Sequence, residues 1–277
     1  MFDETYEAVI ADTPLGRRIH HRIRYAVYCL ETGFERPDLH PDGEERDPWD
    51  AHSVHLLVRH RGSGHWVGAM RLIRPVSGGI LPIHSLSDAP LDAAIDHNVA
   101  EVSRLCILGE HRRAVGETLT DPGSSGRNGG SPLGDLNRFS ADRSSPGANT
   151  LPLEHPPKVQ SMRGEALRLP GPEIMAGLLR AAMEYSRDHD IRHWYFLTNP
   201  ALARLVRRMK VDIVRVGETC FHRGLRHPYL IDLNDAVFSA SRRCSKMARL
   251  LSDGEPYRLF SELGPEPKTA LCEVAAA

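Results

Sequence analysis

Residues 109 to 160 are dominated by Gly, Ser, Pro and Arg and hold almost no apolar clusters. Such a segment cannot bury enough surface to offset the entropy of ordering it. The sequence therefore predicts a flexible insertion over about 110–162. This constrains the rest of the chain. The periodic segments on either side are each too small to make a sheet alone, so they must share one core. The expectation is a single domain over 1–277 with a long insertion and a helical C-terminal extension over 235–277.

With 277 residues, 41% of them hydrophobic, that core can be sizeable. The 35 basic and 36 acidic residues nearly cancel, so no global field favours nucleic acid or an anionic membrane. Cys29, Cys106, Cys220, Cys244 and Cys272 are odd in number and contain no CxxC pair, which argues against a zinc site and a disulfide framework. The acidic start MFDETYEAVI is unlike a signal peptide, and no apolar run reaches about 18 residues. A cytoplasmic protein without a transmembrane segment is expected.

Leu15, Ile19, Ile23, Val27 and Leu30 recur every three or four positions and predict a helix with one core face. Arg17, His21, Arg24 and Tyr28 form its polar stripe, aimed at solvent or a cleft. Residues 35–51 lack either period and read as an acidic loop. Two strands, HSVHLLVRH and WVGAMRLIRP, follow as a hairpin through RGSG, and the second carries Arg71. EVSRLCIL, residues 101–108, is the next strand. Beyond the insertion the pattern gives a helix at 172–188, a strand IRHWYFLT, a helix NPALARLVRRMK with an Asn-Pro cap, and strands VDIVRVGE and HPYLIDLND. Val237, Phe238, Met247, Leu250 and Leu251 suggest terminal helices.

Charges inside EVSRLCIL demand partners, because an unpaired buried charge costs several kcal/mol, roughly. Strand alternation puts Glu101 and Ser103 on one face and Arg104 on the other, so Glu101 and Arg104 pair only if a β-bulge re-aims one of them. The stretch is either a structural ion pair or part of a site. Glu44, Glu45, Asp47 and Asp50 lack calcium-loop spacing, and taken alone read as a solvated acidic loop; no metal is expected. His52, His55, His60 and His65 show no HExxH and read mostly as surface or packing residues. Cys106, in an apolar run, reads as a small buried hydrophobe. Arg204, Arg207 and Arg208 share a helical face, either merely solvated or suited to an acidic partner. GxxxxGK[ST], GxGxxG after a strand, and R/Q-x-x-G-x-G/A before residue 172 are all missing, which weakens ATPase, dehydrogenase and acetyl-CoA readings.

IRYAVYCLETGFE, DGEERDPWDAHSVHLLV, VGAMRLIRP and EVSRLCI together resemble the acyl-homoserine lactone synthases and their relatives, in particular the acyltransferases associated with the PEP-CTERM/exosortase system and the long-chain N-acyl amino acid synthases. The resemblance covers 15–108 well and 165–232 by pattern. It implies the N-acetyltransferase (GNAT) fold, a mixed α/β architecture with a central sheet flanked by helices. It also marks Arg24, Phe34, Asp47, Asp50 and Arg71 as substrate-binding, and Glu101, Ser103 and Arg104 as catalytic. The less clearly placed aromatic and the long insertion favour the amino acid synthase branch over lactone formation.

The activity implied is transfer of a long fatty acyl chain from an acyl carrier protein thioester to the amino group of an amino acid or small amine. Aminolysis needs a base, for which Glu101 is the candidate, and a donor for the oxyanion, such as a backbone N–H freed by a bulge. Arg104, Arg71 or Arg24 would hold a substrate carboxylate. No permanent cofactor is implied. The co-substrate is acyl-phosphopantetheine on acyl carrier protein, docking at Arg204, Arg207 and Arg208, or else acyl-CoA. The competing readings are an acetyl-CoA-dependent N-acetyltransferase, a lactone synthase, and a non-catalytic acyl-chain or carrier-protein binding module.

Overall fold

The computed structural model describes residues 2–76, 80–90, 98–114, 168–169, 172–236 and 255–264. Met1–Arg113 and Arg168–Ala277 belong to one compact unit. The expected insertion from residue 115 onward and most of the expected C-terminal extension lie outside the described residues.

The unit is built on a nine-stranded mixed sheet. Its strands are β1 (Tyr6–Ile10), β2 (Ser53–His60), β3 (Trp66–Ile73), β4 (Val99–Ile107), β5 (His193–Thr198), β6 (Val214–Arg215), β7 (Cys220–Phe221), β8 (Leu225–Asp232) and β9 (Arg258–Leu259). They run in the order β9-β1-β2-β3-β4-β5-β8-β6, with β7 pairing to β8 off that path. The β1–β9 and β4–β5 pairs are parallel and the others antiparallel. The helices are α1 (Phe2–Thr5), α2 (Pro14–Tyr25), α3 (Pro82–Leu86), α4 (Pro172–Asp188) and α5 (Pro200–Arg208).

Alternation along the strands sorts the core into two layers. Leu56, Val58, Met70, Leu72 and Val102 pack with Ile174 and Leu178 of α4, whereas Leu57, Ala69 and Cys106 pack with Ile19 and Ile23 of α2. Ile107 returns to the α4 layer although it lies five residues beyond Val102. Only an extra residue between them can reverse the parity, so a bulge is required there.

Most long elements lie where the sequence periodicity puts them. Asn199 caps α5 as expected, its side chain accepting from the Leu202 amide at 2.8 Å. The predicted strand VDIVRVGE shrinks to Val214–Arg215, and β1 and α3, too short to show a period, escape the sequence reading. The α2 helix continues as a π-helical segment, Ala26–Glu31. That wider turn rotates the core face by about one residue, burying Cys29 and turning Leu30 outward to 50% exposure, against the expectation for Leu30. Within the expected helical extension, Arg258–Leu259 is instead an edge strand beside β1. No helix among the described residues is long and apolar enough to cross a membrane.

Candidate active site

The site is organised by the β4 bulge. Ala69 pairs with Cys106 and Arg71 with Ser103, so Arg104 and Leu105 together face the single residue Met70. Arg104 takes the left-handed conformation, φ +52°, which is uncommon for a residue with a Cβ. The bulge that the two charges required is therefore present, but it does not join them. Arg104 turns to the acidic loop, donating from Nη2 to Glu45 at 3.1 Å, Asp47 at 3.1 Å and Glu35 at 3.3 Å. The Glu101 carboxylate instead accepts the Ile83 amide of α3 at 2.8 Å.

Around Arg104 the carboxylates and guanidiniums interlock. Arg24 donates to Glu45 and to Asp50, both at 2.5 Å. Arg71 donates from Nη1 to Asp47 at 2.6 Å and Asp50 at 2.8 Å, and from Nε to the Ser103 hydroxyl oxygen at 3.1 Å. Asp47 and Asp50 also cap the short turn Pro48–His52 reciprocally, each side chain accepting a backbone amide of the turn. Burial opposes ionisation of Glu45, Asp47 and Asp50, but guanidinium contacts, joined at Asp50 by the His55 hydrogen bond, hold all three below the ordinary carboxylate range. Glu44 and Glu45 are buried, so a solvated acidic loop is not what the structure shows. The loop folds back over α2, fixed by the Glu45 amide on the His21 carbonyl at 3.1 Å. As a result His21 and Arg24 of the expected polar stripe face the loop, while Tyr28 reaches the cleft.

A cleft of about 400 Å³ opens beside this network. It forms because β4 and β5 pair only from Val99–His193 to Val102–Phe196. Beyond that point Ser103, Arg104 and Leu105 form one wall, and Leu197 and Thr198 the other. Glu101, Asp47, Arg71 and Phe34 also line it. Burial raises the Glu101 carboxyl to about 7, with Arg71 and Arg104 pulling against the rise. Glu101 is thereby a carboxyl able to take up or release a proton near neutrality.

Of the residues singled out in the sequence, Phe34, Asp47, Arg71, Glu101, Ser103 and Arg104 meet at the cleft. Asp50 supports it from behind. Arg24 does not line it: it is fully buried, with Glu45 and Asp50 on its fork. Buried and outside the cleft lining, Arg24 presents no face to a substrate carboxylate there. Arg204, Arg207 and Arg208 are exposed on α5 and are not cleft residues. Cys106 is buried, and burial pushes its thiol to about 12, so it offers no nucleophile at neutral pH.

The sequence reading missed His222, Arg223 and Arg226, which line the far side of the cleft. Arg226 packs over the Phe34 ring at 6.0 Å and donates from Nε and Nη2 to the His222 and Arg223 carbonyls. Arg223 pairs with Glu35. The signal lay in HRGLRH, 222–227, where basic residues crowd a turn, but no period tied that turn to the acidic loop. Also unforeseen is a buried cluster of His20, His21 and His55 behind Asp50.

A family profile described as an acetyltransferase (GNAT) domain matches residues 23–120. The same segment contains all seven charged residues of the network described above, together with Glu101. No curated protein matches the chain. Among solved structures the chain is similar to TofI in a ternary complex with an inhibitor and MTA, at 18% identity over 87% of this chain and 99% of that one, TM-score 0.51. It is similar to the AHL synthase LasI at 15% identity over 95% and 98%, TM-score 0.51. It is also similar to BjaI, a CoA-dependent acyl-homoserine lactone synthase solved with SAM and isopentyl-CoA, at 14% identity over 99% of both chains, TM-score 0.51. The chain thus has the GNAT fold, a mixed central sheet flanked by helices, and the profile match supports an acyltransferase.

Proposed function

We propose that the protein is an N-acyltransferase that moves a fatty acyl group from a thioester onto the amino group of an amino acid or related small amine. The observation that carries this reading is the juxtaposition, in one cleft, of a carboxyl titrating near 7 with a strand edge left open by the β4–β5 splay. In the proposed reaction Glu101 accepts the ammonium proton, directly or through a water, and the neutral amine attacks the thioester carbonyl. The tetrahedral oxyanion is received by main-chain N–H groups of the bulged stretch beyond Val102, where β5 offers no partner. Collapse expels the thiolate, which leaves protonated, and the product is an amide.

Arg71 and Arg104 are occupied by Asp47, Asp50, Glu45 and Ser103, so they shape the wall rather than grip a ligand. A substrate carboxylate is better served by Arg226, whose Nη1 has no hydrogen-bond partner among the described residues, with Arg223 beside it. The acyl chain would run from Val102 and Phe196, at the cleft floor, into an apolar void bounded by Leu179 and Met183 of α4 and by Ile231. Acyl carrier protein is the proposed donor, meeting the basic α5 face, with acyl-CoA as the alternative. The long segment between β4 and α4 favours an N-acyl amino acid synthase, of the kind that includes the PEP-CTERM/exosortase-associated acyltransferases, over a lactone synthase.

The test is mass spectrometry of lipid extracts from cells expressing the protein, followed by transfer assays with acyl carrier protein and CoA thioesters against amino acids and S-adenosylmethionine. N-acyl amino acids are the expected product. Acyl-homoserine lactone alone would replace this reading with the lactone synthase, and acetylation alone with the N-acetyltransferase.

A further inference from the structure

His20 and His21 on α2 and His55 on β2 converge in a buried cluster that acyl transfer does not use. Their rings stand nearly perpendicular to one another, with centroids 4.7 Å apart for His20–His55, 5.5 Å for His21–His55 and 5.8 Å for His20–His21. Hydrogen bonding fixes two of the tautomers. The Met70 carbonyl, 3.1 Å from His20 Nε2, and the Asp50 carboxylate, 3.2 Å from His55 Nε2, can only accept, so each Nε2 carries the proton. The Nδ1 atoms of His20 and His55 are then lone pairs. Neither His20 Nδ1 nor His21 Nε2 has a hydrogen-bond partner, although both atoms are buried.

This is how histidines are held in metal sites, with one ring nitrogen donating its proton to a carbonyl or carboxylate and the other left free to ligate. We propose that His20, His21 and His55 bind one divalent transition-metal ion of the zinc type. Each residue offers a nitrogen within 4.8 Å of the other two. Bonds of about 2.0–2.1 Å in a tetrahedral site set those separations at about 3.4 Å, a difference that small side-chain rotations cover. Neutral imidazole suits zinc, cobalt, nickel and copper, whereas a carboxylate and carbonyl set would suit magnesium or calcium.

The surroundings keep the donors available. All three histidines are buried, and the Nε2 protons of His20 and His55 are committed to the Met70 carbonyl and the Asp50 carboxylate. The Arg24 guanidinium opposes a second cation, but its own charge is met by Glu45 and Asp50, and Glu44 lies 4.0 Å from His21 Nδ1. The ion would tie α2 to β2 behind Asp50. Since Asp50 joins His55, Arg24 and Arg71, it would stiffen the acidic loop without touching substrate.

The test uses the full chain, purified without a histidine tag, supplied with Zn²⁺ or Co²⁺ alone. About one equivalent of tightly held metal, ligand-field absorption of tetrahedral cobalt, and a rise in Tm on adding Zn²⁺ that chelator reverses are expected. His21→Gln and His55→Gln should lose all three effects. The chain has 15 histidines, so binding that persists undiminished in both variants would overturn the proposal, as would a wild-type protein that takes up no metal. X-ray absorption on zinc-loaded wild type needs no variant: a shell of about three imidazoles supports the site, and an oxygen- or sulfur-dominated shell rejects it.

Discussion

Arg71 on β3 and Ser103 on β4 sit directly opposite in the ladder, and the Arg71 Nε donates to the Ser103 hydroxyl oxygen at 3.1 Å. That contact pins the last regular pair before the bulge. On one side of it stands Glu101, two residues back along the same strand, and on the other Arg104, swung into the acidic loop. The two charges of EVSRLCIL thus serve one cleft from opposite sides.

Glu101→Gln should leave the fold intact, because the amide oxygen can still accept the Ile83 N–H, while slowing single-turnover acyl transfer by roughly two to four orders of magnitude. In the wild type the rate should rise with pH through about 7, as Glu101 loses its proton. Stability should move the other way. The folded carboxyl titrates above the unfolded one, near 4.5, so the folded state holds more protons between about pH 4.5 and 7 and stability falls across that window as pH rises. The span is on the order of 3 kcal/mol at most. Thermal unfolding of wild type and Glu101→Gln at pH 5 and pH 8 checks both signs: the variant should gain on the wild type at pH 8. A fully active, well-folded variant would remove Glu101 from the mechanism.

Arg24→Met is expected to destabilise by about 3–5 kcal/mol, since it strands Glu45 and Asp50 with one fewer guanidinium in a buried place. Arg24→Lys should not restore it, because a single ammonium cannot reproduce the two-directional fork. The linkage of Asp50 has the opposite sign to that of Glu101. Its folded pKa is depressed, so its stabilisation is complete above the unfolded value of about 3.8 and is lost as pH falls below it. Acid unfolding of Asp50→Asn should begin from a lower plateau and depend less on pH below about 4. An unchanged acid transition would show that Asp50 is not the anchor of this network.

The long elements were legible because their periods are strong, and α4, β2 and β3 fall where those periods predict. The charge series 24, 47, 50, 71, 101 and 104 was legible as a set, but not who pairs with whom. Burial of Glu45 could not be read from an aperiodic loop: it follows from the loop meeting α2 and the bulge, contacts far apart in sequence. Arg226 was hidden for the same reason, reaching the cleft only through the β7–β8 turn and its packing on Phe34. His20 and His21 looked like ordinary members of an amphipathic helix, and nothing in the sequence tied them to His55 across the 33 residues between His21 and His55.

Charge reversal on α5 separates docking from chemistry. Arg207 is a poor probe, because its guanidinium packs over the Tyr229 ring at 5.2 Å and would disturb the sheet if removed. Arg204→Glu with Arg208→Glu is cleaner, both side chains being exposed. The pair should raise KM for an acyl carrier protein thioester several-fold, more at low salt than at high, and leave KM for the matching acyl-CoA within about two-fold. Equal effects on both donors would reject carrier-protein docking on this face.

The void beneath the cleft makes the last prediction. At about 20 Å³ it holds little more than one water-sized group, so a fatty chain can enter only if its lining yields. Met183 is the lining residue best able to do so, being unbranched and only partly buried, whereas Leu179, Trp194 and Val206 are locked into the core. Met183→Ala should therefore lengthen the preferred acyl chain by a few carbons at a modest loss of stability, about 1–3 kcal/mol for a partly buried methionine. Ala236→Leu, which adds volume to the same lining, should shorten it. Competition assays over a series of acyl thioesters read both shifts, with kcat/KM per chain length as the measure. Identical chain-length profiles in the two variants and the wild type would place the acyl chain elsewhere, along the open cleft between Phe34 and Leu197 rather than under the sheet.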